Sequence, residues 1–73
     1  MTMKFFCDYA LIDPCTLIAR IESISDDIYA VDYDVNEDVF QVVVDTFDNP
    51  LSIEEIDRLY EIVKPYYIVA CEA

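Results

Sequence analysis

The hydrophobic and polar positions of this chain follow two periods. In some stretches apolar residues recur at every second position, as on a half-buried strand. In others they recur at every third or fourth, as on one face of a helix. The changes of period coincide with Asp13-Pro14, Asp26-Asp27, Asn36-Glu37, Asp48-Asn49-Pro50 and Pro65. Residues 4–11 (KFFCDYAL) predict an aromatic-rich strand stopped by Pro14. Residues 14–25 predict a helix, with Asp13 as N-cap, Pro14 in the first helical position, and Leu17, Ile18, Ile21 and Ile24 on one face. Residues 28–35 and 38–47 predict two strands, and residues 66–71 (YYIVAC) a last one. The clearest element is LSIEEIDRLYEIVK, residues 51–64. There Ser52 and Glu55 form a capping box, spanned by Leu51 and Ile56 as a hydrophobic staple. Ile53, Ile56, Leu59, Tyr60 and Val63 share one face, Glu54, Asp57, Arg58 and Glu61 the other, and Pro65 ends the helix.

A two-residue turn at Asn36-Glu37 would join the middle strands as a hairpin. Tyr33 would then face Phe40, Val31 would face Val42 and Tyr29 would face Val44, all on the core side. Asp32, Asp34, Gln41 and Asp45 would lie on the other side. The order β-α-β-β-α-β predicts an α+β domain spanning residues 1–73. Its expected form is the ferredoxin-like split βαβ, a four-stranded antiparallel sheet with two helices on one face. A β-α-β-β meander with a detached C-terminal segment, or a strand-swapped dimer, would also accommodate these elements.

Composition sharpens this picture. At 73 residues the chain is one small domain, yet 56% of it is hydrophobic, with six Tyr and four Phe. That is too apolar for a disordered acidic tail. Sixteen acidic residues oppose four basic ones, a formal charge of −12. A field of that sign repels nucleic acid and anionic membrane and favours basic protein surfaces. The chain has no glycine, so a turn residue needing positive φ would have to be Asn or Asp, and Asn36 is the best placed. No apolar run is long enough to span a membrane, and the start, Met1-Thr2-Met3-Lys4, makes a poor signal peptide. The expected location is the cytoplasm, where Cys7, Cys15 and Cys71 would stay reduced.

Little in the chain points to catalysis or to a cofactor. In VDYDVNEDVF, residues 31–40, Asp32, Asp34 and Asn36 match the first three ligand positions of an EF-hand loop. The sixth position is Glu37 where glycine is required, the twelfth is Val43, and the flanks read as strands. Asp8, among Phe5, Phe6 and Tyr9, is the best-placed acid for general acid–base chemistry, but its parity directs it to the open face of the sheet as a solvated carboxylate. The lack of histidine, of paired cysteines and of glycine removes zinc sites, Cys–His nucleophiles, P-loops and dinucleotide fingerprints. Cys15 lies in the first turn of helix one without a base beside it, and Cys7 and Cys71 read as core residues that neighbouring strands could bring together.

The surface carries the remaining signal. Asp32 and Asp34 would stand about 6.8 Å apart on one side of a strand. Asp8 and Asp45 are expected on the same face, with Glu37 and Asp38 at its hairpin end. Apolar Phe6, Val39 and Val43 would lie between them. A second acidic stripe, Glu54, Asp57 and Glu61, runs along helix two. Acids rimming an apolar patch are the mark of a protein-binding surface. In size, charge and lack of catalytic residues the chain resembles small phage-encoded inhibitors of bacterial defence, anti-CRISPR proteins and DNA mimics among them. The resemblance is one of general type, and no stretch carries a family's functional residues. It implies a non-enzymatic protein that occupies the basic site of a nucleic-acid-binding partner. The contrasting expectation is a small regulatory or structural domain that self-associates through a sheet edge or through helix one, whose outer side is Cys15, Thr16, Ala19, Arg20 and Ser23.

Overall fold

The structure, a computed structural model, describes the backbone of residues 2–72 and the side chains of residues 2–68. The elements run β1 (Met3–Asp8), α1 (Pro14–Glu22), β2 (Ile28–Asp34), β3 (Val39–Thr46), α2 (Ile53–Val63) and β4 (Tyr67–Glu72). The strands form one antiparallel sheet in the order β2-β3-β1-β4. Each helix therefore crosses over one strand: α1 carries the chain from β1 past β3 to β2, and α2 from β3 past β1 to β4.

One side of the sheet builds the core. Met3, Phe5 and Cys7 of β1 alternate inward and stand opposite Val44, Val42 and Phe40 of β3. Leu17 and Ile21 of α1 and Leu59 and Val63 of α2 complete the same buried cluster, so both helices lie on that side. Phe5 sits between the outer elements, edge-on to Tyr60 of α2 at 5.9 Å and to Tyr67 of β4 at 6.1 Å. Ile53, expected on the core face of α2, is 80% exposed. The buried stripe is centred on Leu59 and Val63, and at 3.6 residues per turn residue 53 falls well to one side of it.

The helix ends follow the sequence signals. The Asp13 carboxylate accepts from the Thr16 N–H, with Pro14 just behind it. In α2 the capping box is complete: Ser52 Oγ accepts from the Glu55 N–H at 3.1 Å, and Glu55 Oε1 accepts from the Ser52 N–H at 3.0 Å.

The β2–β3 connection departs from expectation. Asp34 pairs with Phe40, Asp32 with Val42 and Ala30 with Val44, one residue off the register of a two-residue turn. The cause lies in the loop. A two-residue type I′ turn needs positive φ at both central residues, and no described residue has it. Instead the Asn36 carboxamide oxygen accepts from the N–H groups of both Asp38 and Val39, and the Asn36 N–H donates to the Val39 carbonyl. This Asx-type closure takes one more residue than a tight turn, and the slip exchanges the faces of β2. Tyr29, Val31 and Tyr33 therefore lie on the open side, opposite Asp45, Val43 and Gln41, and Asp32 and Asp34 lie on the helix side.

The pairing of β1 with β4 corrects a second expectation. Cys71 pairs with Lys4 and Cys7 with Tyr67, across an irregularity between Phe6 and Cys7, so the two cysteines are not cross-strand neighbours. Cys7 is buried, and its apolar surroundings push its thiol up to about 11. The Cys71 side chain lies outside the described residues.

Replacing Ser52 with Ala removes one half of the capping box and should cost about 1 kcal/mol. A thermal melt should then fall by roughly 4–8 °C. An unchanged melt would mean that α2 does not depend on its cap.

Candidate functional site: a divided acidic surface

None of the described acidic side chains is buried. Their hydrogen bonds separate them into two groups. The first group holds the backbone. Asp8 Oδ1 accepts from the Ala10 N–H, and Asp13 caps α1. Asp27 accepts from the Asp48 and Asn49 N–H groups and so pins the turn after β3. Glu55 closes the capping box. Asp45 accepts from its neighbour's N–H, that of Thr46, and from the Thr2 hydroxyl at 2.8 Å, and those bonds hold its carboxyl below the usual aspartate range. These are the tasks that turn residues and caps perform in a chain without glycine.

The second group projects outward. Asp32 stands exposed on the helix side of β2, beyond the part of that strand where Ile28 is buried. Glu37 and Asp38 are exposed at the hairpin tip, and Glu54, Asp57 and Glu61 along α2. Asp34 belongs to both groups. It is exposed, and its Oδ1 accepts a 2.6 Å hydrogen bond from the Tyr9 hydroxyl. The Tyr9 ring packs on Phe40 at a centroid distance of 4.8 Å, so this pair closes the end of the core.

The expected acid face is thus divided. Asp8 and Asp45 lie on the open face of the sheet, as expected, and both are half-buried and engaged with the backbone. Asp32 and Asp34, expected beside them, lie on the opposite side because of the register. Asp34 is held there by Tyr9, and a shallow depression is lined by Tyr9, Asp34, Asn36 and Glu37. The bond to Asp34 is the largest cause that pushes the Tyr9 phenol up to about 12, and the fields of Asp34, Asp32 and Asp13 add to it.

The open face gains apolar surface in exchange. Val31 and Tyr33 join Phe6, Val39 and Val43 there, and Tyr29 stacks on the exposed Phe47 ring at 4.5 Å. Tyr9, Val31 and Tyr33 are surface features that the alternation of the sequence does not mark. Only the true register could have revealed the last two, and Tyr9 had no signal beyond its place at the end of a strand. Among the described residues no three His, Cys, Asp or Glu side chains converge on a point that could hold a metal ion, and no helix is long and apolar enough to cross a membrane. Comparison with known protein families, curated proteins and solved structures found no match to this chain.

Tyrosinate absorbance during an alkaline titration tests the Tyr9 arrangement. One tyrosine should lose its proton near 12, vanish from the curve in Tyr9→Phe, and move back towards 10 in Asp34→Ala. In the unfolded chain Tyr9 ionises near 10, so its contribution to stability is complete below that pH and is lost as pH rises through about 12. A Tyr9→Phe titration that lacks a group near 10 instead would contradict the geometry.

Proposed function

We propose that this chain is a non-enzymatic binding protein whose acidic surface occupies the basic, nucleic-acid-binding site of a partner protein. The observation that carries this reading is the exposed acid group Asp32, Asp34, Glu37 and Asp38 at the hairpin end of β2, of which only Asp34 makes a described side-chain hydrogen bond. Repulsion among uncompensated carboxylates works against folding, and a domain of 73 residues has little stability to spare. Asp32, Glu37, Asp38, Asp57 and Glu61 make no described side-chain hydrogen bond to the backbone, yet the chain carries them, while Glu54 faces the N-terminus of α2. A groove lined by Lys and Arg would relieve that repulsion on contact, and the field of −12 would speed the encounter. An anti-defence role of the anti-CRISPR or DNA-mimic type, exercised in a host cytoplasm, is the finer form of this proposal.

The apolar open face of the sheet favours a second reading, a small regulatory or structural domain that self-associates. Sedimentation at two concentrations separates the two. A tight homodimer that buries the acidic side chains would exclude occupation of a basic site by them.

Passing a host lysate over the immobilised protein tests the leading reading. Retained proteins should be basic nucleic-acid binders, should be released by a salt gradient, and should be displaced by duplex DNA or RNA. Charge reversal at Asp32 and Glu37, which make no described side-chain hydrogen bond, should weaken capture by about tenfold or more. Retention of neutral or acidic proteins, indifferent to salt, would overturn the reading.

A further inference from the structure

The outer edge of β2 is one of the two free edges in the strand order of the sheet. β2 is a terminal strand of the order β2-β3-β1-β4, and its residues Ile28–Asp34 include no proline and pair with β3 without a register shift. Val31, Asp32, Tyr33, Asp34 and Val35 are exposed in succession. The Phe47 N–H donates to the Asp27 carbonyl, and the Tyr9 N–H donates to the Asp38 carbonyl. Antiparallel alternation then directs the backbone groups of Tyr29, Val31 and Tyr33 towards β3. Those of Ala30, Asp32 and Asp34 point away from it. Side chains alternate in step: Val31 and Tyr33, 44% and 55% exposed, on the open side, and Asp32 and Asp34 on the other. An edge built in this way is a template for a further strand.

Charge decides which strand can use it. A second copy pairing antiparallel about Asp32 or Tyr33 would set aspartate opposite aspartate, and like charges directly opposite one another destabilise a ladder. Each chain would also bring a net −12. A strand with Lys or Arg at alternate positions would instead place a cation opposite each aspartate. Its intervening residues would then lie beside Val31 and Tyr33. We infer that the free edge of β2 captures, by strand addition, an extended segment of a partner in which Lys or Arg alternates with β-branched or aromatic residues. The inference rests on the reading that the partner is basic, and it specifies how that partner is held.

The probe is a capped peptide of about ten residues alternating Lys with Val or Thr, compared with one of equal composition whose lysines form a single block; about 3.3 Å per residue lets either span the edge. The alternating peptide should bind more tightly, shift the amide resonances of residues 30–35, and slow hydrogen exchange at Ala30, Asp32 and Asp34. Two variants separate backbone from charge. Asp32→Pro removes an outward N–H at an edge position where proline is tolerated, and Asp32→Asn keeps it. Binding by Asp32→Pro should be about fivefold weaker than by Asp32→Asn, the effect of one hydrogen bond. Unchanged amide dispersion outside β2 would show that the proline variant is folded. Equal binding of both peptides, with shifts spread over Glu54, Asp57 and Glu61, would overturn strand addition and leave the basic-partner reading standing. Failure of both peptides to bind would also overturn strand addition; the reading itself would fall only if salt-sensitive capture of basic proteins failed too. Concentration-dependent pairing of the protein with itself through β2 would overturn the inference as well.

Discussion

The loop between β2 and β3 has no residue with positive φ, and the surface of the molecule follows from that constraint. Without glycine, a two-residue hairpin turn would require left-handed geometry from Asn36 and Glu37 together, and a glutamate resists it. The Asn36 carboxamide closes a wider loop by accepting from two backbone N–H groups. One extra residue in a loop is a small local change. In a sheet whose side chains alternate, it transfers every residue of a strand to the opposite face. Tyr29, Val31 and Tyr33 leave the helix side, and Asp32 and Asp34 enter it.

Two properties of the surface come from this single shift. The helix side of β2 carries acids that the helices do not cover, and Asp34 among them accepts from the Tyr9 hydroxyl. The open side becomes a largely apolar sheet face, with Asp8 and Asp45 tied to nearby backbone groups. The high acid content therefore has two physical origins. Asp8, Asp13, Asp27, Asp45 and Glu55 supply the hydrogen bonds that caps and turns need. Asp32, Glu37, Asp38, Asp57 and Glu61 supply field alone, and Glu54 also meets the N-terminus of α2. Only the second set argues for a partner, because only there does the repulsion lack a structural return.

The α+β class, all the elements and most of the core were legible in the chain. Period and punctuation carry that information locally: Asp13-Pro14 starts α1, Ser52 and Glu55 start α2, and alternation from Met3 to Cys7 marks the buried side of β1. The face of β2 was not legible. Residues 29–35 alternate Tyr or Val with Ala or Asp, a pattern that usually puts the aromatic and branched residues inside. The structure reverses this through the one-residue slip at the Asn36 loop, and the exposed far end of this edge strand tolerates the exchange. Its core contribution ends at Ile28 and the half-buried Ala30. The loop sets the register, and the alternation of β2 by itself does not say which way it will close. The site inherited the error, since it rested on Asp32 and Asp34 sharing a face with Asp8 and Asp45.

Cross-strand proton contacts measured by nuclear Overhauser spectroscopy test this register directly. In antiparallel pairs that are not hydrogen-bonded the two Cα atoms lie about 4.5 Å apart, so their Hα protons give strong contacts. The account predicts strong Hα–Hα contacts between Asp32 and Val42 and between Ala30 and Val44. Contacts placing Val31 opposite Val42 and Tyr33 opposite Phe40 would contradict it. They would return the aspartates to the open face and remove the edge on which the partner is proposed to dock.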